Sequence, residues 1–157
     1  VSGYLMKLSR NQHKWKDENP VAKQDSNSRI RFKRVQPTPI IPRTLGTFYS
    51  VHAANPDVLF FKDRYHLYFR GQAEPGHDQI GVAYATAEAF DGIHWEIYPG
   101  NPVIPVSGER TDFDSGYILD PAAVVMDNRV YLYYSAHRRT SFSQIGLAVL
   151  ERDSLAW

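Results

Sequence analysis

The residues best placed for chemistry are two Asx-Pro pairs, Asn55-Pro56 and Asp120-Pro121, which stand 65 positions apart. Each leads into an apolar run, Val58-Leu59-Phe60-Phe61 after the intervening Asp57 in one case and Ala122-Ala123-Val124-Val125-Met126 in the other. A carboxylate at such a position can take or give a proton, whereas an amide donates and accepts hydrogen bonds but acts as neither base nor nucleophile. Asp57 follows Asn55 by two residues and shares its face of an extended strand, so it can supply the carboxylate that Asn55 lacks. The plainer alternatives are a turn residue for each Asx-Pro and a solvated or ion-paired strand position for Asp57. Proline biases the residue before it towards extended backbone, and that geometry is expected for Asn55 and Asp120. His52, Arg70 and Asp114 are further polar candidates beside these positions.

These residues recur because the sequence around them recurs. With Asn55 set on Asp120, Pro56 falls on Pro121, Arg64 on Arg129, Leu67 on Leu132 and Tyr68 on Tyr133. Gln79-Ile80-Gly81 falls on Gln144-Ile145-Gly146, and Ala83 on Ala148. A second echo sets Ile30-x-Phe32…Thr38-Pro39-Ile40-Ile41-Pro42 on Ile93-x-Trp95…Asn101-Pro102-Val103-Ile104-Pro105. Repeats of this length belong to arrays of small units, none of which can bury its faces alone. Each unit reads as short β-branched and aromatic runs separated by turn residues, an all-β pattern. Strands are expected over 56–61, 65–70, 79–85 and 93–98, then over 121–126, 130–135 and 144–150, with a further one beginning near Asp153…Trp157. His77 and Asp78 fall in the expected loop between the second and third strands, as Arg138 and Arg139 do in the second unit.

Four-stranded antiparallel units in series are β-propeller blades, and their first strands line a central channel. The starts of those strands converge on the axis, so Asn55 and Asp120 are expected to meet there. The expected organisation is a polar basic arm over 1–29 and a partial propeller over 30–157. Blade one covers about 52–105, blade two about 117–157, and Ile30 to Pro42 adds an outer-strand segment. Two and a half such units do not close a ring, so association with further copies, or membership of a longer protein, is expected.

Composition sets outer bounds. The chain has 157 residues, 43% of them hydrophobic, with ten Tyr, eight Phe and three Trp. That is enough for one packed core, and most of the aromatics are expected to fill it. No cysteine is present, so disulfide and thiolate chemistry are excluded, while the compartment stays open. No P-loop, nucleophile elbow or metal cluster appears, and no apolar run approaches a membrane span or signal core. Net charge is +1, yet residues 1–34 hold nine Lys and Arg against three acids. No nucleic-acid motif accompanies that basic stretch, so neither nucleic acid nor membrane is expected as a partner.

The pattern Asn55-Pro56-Asp57-Val58…Tyr65-His66-Leu67-Tyr68-Phe69-Arg70 resembles the first blade of five-bladed β-propeller glycosidases. So does Ile80-Gly81-Val82-Ala83…Asp91-Gly92-Ile93-His94-Trp95…Asn101-Pro102-Val103-Ile104. Asp120-Pro121…Tyr131-Leu132-Tyr133-Tyr134-Ser135 resembles their second blade. The families are glycoside hydrolase families 43, 32 and 68 and the family 130 mannoside phosphorylases and hydrolases. The resemblance implies a glycoside or oligosaccharide ligand and carboxylate acid–base chemistry at the channel. It makes Asp120 a proton donor or a group that tunes one, and makes Asp57 a second catalytic candidate. Asn55, Arg70, His52 and Asp114 become candidate substrate contacts, and some aromatics become candidate sugar platforms. Two departures stand out. Asn55 occupies a position where families 43 and 32 carry Asp, and Ala122 stands where family 130 carries Arg. The third-blade Glu that serves as general acid in families 43 and 32 has no counterpart here. Some related propellers hold a central Ca²⁺, which nothing in these residues specifies. A non-catalytic carbohydrate-binding or oligomer-forming two-blade module, or a scaffold with no sugar ligand, is the competing reading.

Overall fold

A computed structural model of the protein describes residues 30–73 and 77–150. The chain divides into one unit over residues 1–35 and another over 36–157. The expected basic arm over 1–29 and the strand expected near Asp153 lie outside the described residues.

The second unit holds two antiparallel sheets. Sheet one runs in the order β1 (His52–Phe61), β2 (Arg64–Ala73), β3 (His77–Thr86) and β4 (Glu96–Ile97). Sheet two runs β5 (Tyr117–Met126), β6 (Arg129–His137) and β7 (Gln144–Val149). Neither a helix nor a parallel pairing occurs among the described residues, as the alternating apolar runs require.

The 65-residue repeat extends to backbone detail. Lys62-Asp63 turns β1 into β2 with φ of 49° and 58°, and Asp127-Asn128 turns β5 into β6 with 48° and 57°. Two successive left-handed residues match the twist of a tight hairpin, and Asp and Asn tolerate that conformation. Each first strand also breaks register at the Asx-Pro pair, between Ala54 and Asp57 in β1 and between Leu119 and Ala122 in β5. Two strand residues there oppose one on the neighbour, which is a β-bulge. Asn55 and Asp120 both have φ of 51°. The extended geometry expected from the following proline is therefore wrong. The bulge demands a left-handed residue, and Asn and Asp are among the few side chains that accept one.

The fourth strand is shorter than expected. Asp91 Oδ1 accepts hydrogen bonds from the main-chain N–H groups of Ile93 and His94, both at 2.8 Å, so the first residues of the expected strand are held in a turn. Only Glu96 and Ile97 pair with β3. Beyond them the Asn101 side chain takes over the ladder: its Nδ2 donates to Val82 O and its Oδ1 accepts from Val82 N, each at 2.8 Å. Val103 N and Ile104 N then donate to Ile80 O. Residues 30–42 form no strand, contrary to the outer-strand expectation. Ile41 instead packs beneath Tyr49, Leu67 and Phe69.

Two apolar layers hold sheet one. On one face Tyr49, Leu67, Phe69 and Ala83 gather with Phe48, Trp95 and Ile97. On the other, Phe61, Tyr68, Ile80 and Val82 meet Ile118, Val130, Leu132, Tyr134 and Ala136 of sheet two. Ile80, Ile118 and Ala136 are fully buried in this inter-sheet layer. Each large side chain buried there contributes roughly 1.5–3 kcal/mol, and the layer fixes how the two bulges face each other.

Candidate active site

The bulges bring together the pair singled out from the sequence. Asn55 Nδ2 donates a hydrogen bond directly to Asp120 Oδ1. Both side chains are exposed. The left-handed kink in each first strand swings the Asx side chain out of the pleat, and inter-sheet packing sets the two kinks opposite one another. The amide therefore orients the carboxylate and occupies one of its oxygens.

Asp57 has a different contact. Its Oδ2 accepts the main-chain N–H of Ala123 at 2.5 Å, a clasp between β1 and β5 just beyond the bulges. Tyr68, beneath it, has its phenol pushed up to about 12, first by burial and then by the charge of Asp57. Asp114 is likewise engaged: Tyr134 Oη donates to its Oδ2 at 3.1 Å. Burial first, and Asp114 second, push that phenol up to about 12. This contact anchors the segment that links the sheets onto sheet two, at the residue of β6 that faces the Asp120-Pro121 bulge.

Arg70 sits within β2, whose pairing continues through Ala73, so it is not the strand end the sequence suggested. Its Nε lies 3.6 Å from Asp78 Oδ1. Neither atom has a hydrogen-bond partner among the described residues. Asp78 is only 5% exposed, and it belongs to β3 rather than to a solvated loop. Burial raises its carboxyl above the ordinary carboxylate value. The charges of Arg70, His52 and His137 pull it back down, and that of Asp120 pushes it up. Asp78 is thus the residue that sequence reasoning missed. It lies on the same face of sheet one as Arg70, because Arg70 pairs with Ile80 and Gln72 with Asp78. Only that hairpin register reveals the match, and the loop between the strands hides it in the sequence. His52 opens β1, is exposed, and enters the site through its charge on Asp78.

Chemically the cluster offers an exposed, amide-oriented carboxylate at Asp120 and a buried carboxyl at Asp78 that keeps its proton to higher pH. Two carboxyl groups whose environments differ this much divide acid and base roles readily. Among the described residues no group of three or more His, Cys, Asp or Glu is arranged to hold a metal ion.

No family model matches the sequence, and no characterised protein matches it in sequence. Solved structures do match its fold. One is described as a complex of BT0996 with RGII; it gives 16% identity, a TM-score of 0.52, and coverage of 64% of this chain and 27% of that one. A second, described as a glycoside hydrolase, gives 17% identity, a TM-score of 0.53 and coverage of 64% and 27%. A candidate glycosidase from Bacteroides thetaiotaomicron VPI-5482 gives 17%, 0.53, and coverage of 62% and 29%. The protein therefore spans between a quarter and a third of the length of these structures. At this identity the likeness establishes a shared all-β fold with part of known glycosidase structures.

Proposed function

We propose that the chain is part of a carbohydrate-active propeller protein that cleaves a glycosidic bond by carboxylate acid–base chemistry, with Asp120 at the reacting centre. The observation that carries this reading is the direct Asn55–Asp120 hydrogen bond at repeat-equivalent bulges of two sheets, on a fold shared with structures named for glycoside hydrolysis. Complex formation of one such neighbour with RGII supports a saccharide ligand. Asp120 carries the ionisable group, Asn55 holds it in place, and Arg70 and His52 are the side chains assigned to substrate hydroxyls in this reading. Asp57 is the weaker catalytic candidate, because a main-chain donor already occupies its Oδ2. Asp114 contributes from the wall.

One observation favours a second reading. Asn55 is an amide where glycosidases of families 43 and 32 carry a carboxylate, so a carbohydrate-binding module without turnover fits the same geometry. A panel of glycosides separates the two when incubated with this protein and with any longer protein that contains it. Under the catalytic reading, Asp120→Asn lowers turnover by roughly 10²-fold or more while binding is largely kept, in the range general acid–base groups contribute. Asp114→Asn does much less. Full activity in Asp120→Asn would eliminate Asp120 as the centre, and binding without turnover by the wild-type protein would establish the module.

A further inference from the structure

We propose that an arginine-lined cavity beside the Asn55–Asp120 centre is a subsite for the carboxylate of an acidic sugar unit. This rests on the carbohydrate reading and adds the charge class of the ligand. The cavity has a volume of about 620 Å³, within the range of roughly 300–1,000 Å³ usual for small-molecule sites. Its wall carries Arg110, Arg138, Arg139 and His77, together with the hydroxyls of Ser107 and Thr140, and no acid. Among the described residues none of the three arginines has a carboxylate within ion-pair distance. The nearby acid Asp112 is instead turned to Ser107 Oγ at 2.5 Å. Three uncompensated guanidinium groups around one cavity favour an oxyanion, and their planar fork matches a carboxylate.

The wall is built rather than incidental. His77 Nδ1 lies 2.9 Å from Gly116 O, which ties β3 to the linking segment. A Cβ at Gly116 would stand 2.7 Å from His137 O and 2.9 Å from Arg139 N, so glycine permits the arginine-bearing turn to approach that closely. The turn itself is closed by Arg138 N donating to Ser141 Oγ and Ser141 N donating to Arg138 O, both at 3.2 Å. Position supplies the last element. His77 precedes Asp78, and Arg138 follows His137. Successive Cα atoms are about 3.8 Å apart. The cavity thus lies at the end of β3 and β6 that also carries Asp78 and His137, two members of the charged cluster around Asp120.

Phosphate and sulfate share this oxyanion chemistry, so the test separates the sources. Calorimetric titration of the whole protein is carried out with trigalacturonate, with its carboxyl-reduced neutral counterpart and with inorganic phosphate. The expected result is binding of the acidic trimer at least about tenfold tighter than the neutral one, weakening with salt. The Arg138→Ala/Arg139→Ala variant should bring that ratio to within about twofold. Arg110→Gln should lower it as well, and this single change in the linking segment serves if the double variant does not fold. Equal affinity for the two trimers overturns the subsite and leaves the carbohydrate reading standing. Phosphate binding that depends on Arg138 and Arg139, without any preference for the acidic trimer, assigns the cavity to free phosphate and also overturns it. Failure to bind either trimer overturns the subsite, and the carbohydrate reading itself falls only if the glycoside panel also shows neither binding nor turnover.

Discussion

Sheet one and sheet two are built on the same repeat, yet the same face of each meets a different environment. In sheet one, Phe61, Tyr68, Ile80 and Val82 are 6%, 5%, 0% and 3% exposed. Their repeat equivalents in sheet two, Met126, Tyr133, Ile145 and Leu147, are apolar as well but 49%, 39%, 73% and 49% exposed. The first set is covered by sheet two; among the described residues nothing covers the second. Contiguous exposed apolar faces are commonly the surfaces through which proteins associate. The shape and chemistry of the buried set indicate what suits it: another sheet presenting residues like Ile118, Val130, Leu132 and Tyr134. Local sequence thus dictates the blade, and neighbours decide whether its face is core or surface.

Substitution at the equivalent isoleucines breaks this comparison most sharply. Ile80→Ala should lower stability by about 2–5 kcal/mol, as expected for a large-to-small change in a packed core. Ile145→Ala in the same chain should cost within about 0.5 kcal/mol, as surface changes do. Denaturant unfolding of both variants measures the difference. If Ile145→Ala costs as much as Ile80→Ala, sheet two is already covered, and light scattering would then show an assembly larger than one chain.

A smaller effect sharpens the picture of the second covered face of sheet one. Ideal Cβ atoms at Gly71 and Gly81 would each come within 2.2 Å of the Phe48 ring. Either change to alanine forces that ring aside, at about 1–3 kcal/mol. Because one ring answers to both positions, the double variant should cost clearly less than the two single changes added. Strict additivity would show that Phe48 does not sit over both glycines.

The smallest expected effect concerns acidity. Burial raises the Asp78 carboxyl, and Arg70, the next largest influence, only partly offsets it. The folded state therefore holds a proton that the unfolded chain has already released. The stability contributed is complete below the ordinary carboxylate value and is lost as pH rises through the higher folded value. Unfolding midpoints measured across this window should fall with rising pH, and Asp78→Asn should flatten the trend. An unchanged slope in the variant would assign the dependence elsewhere.

Much of this fold is legible in the sequence because the repeat carries register as well as composition. The Asx-Pro pairs, the two-residue turns and the Gln-Ile-Gly runs all occupy matching places in both sheets. The meeting of Asn55 with Asp120 follows from that symmetry. Three features are not legible. The left-handed φ of Asn55 and Asp120 opposes the local influence of proline, and it arises only once β1 and β2 pair with one residue to spare. The fourth strand is cut short by the Asp91 turn and by the Asn101 side chain, which imitates a strand residue against Val82. Asp78 looks like a loop residue until the hairpin register sets it beside Arg70, under the cover of sheet two. In each case long-range pairing overrides the local pattern.

The central claim is that saccharide binds where the two bulges meet. Titration of isotopically labelled protein with neutral and acidic oligosaccharides, followed by chemical-shift mapping, tests it most directly. Perturbation is expected at the Asn55 side-chain amide, at Arg70 Nε–H and along the main chain around Asp120, with the opposite end of both sheets, at Lys62-Asp63 and Asp127-Asn128, left undisturbed. Perturbations confined to those hairpin turns, or to the bare face around Ile145 and Leu147, would contradict it.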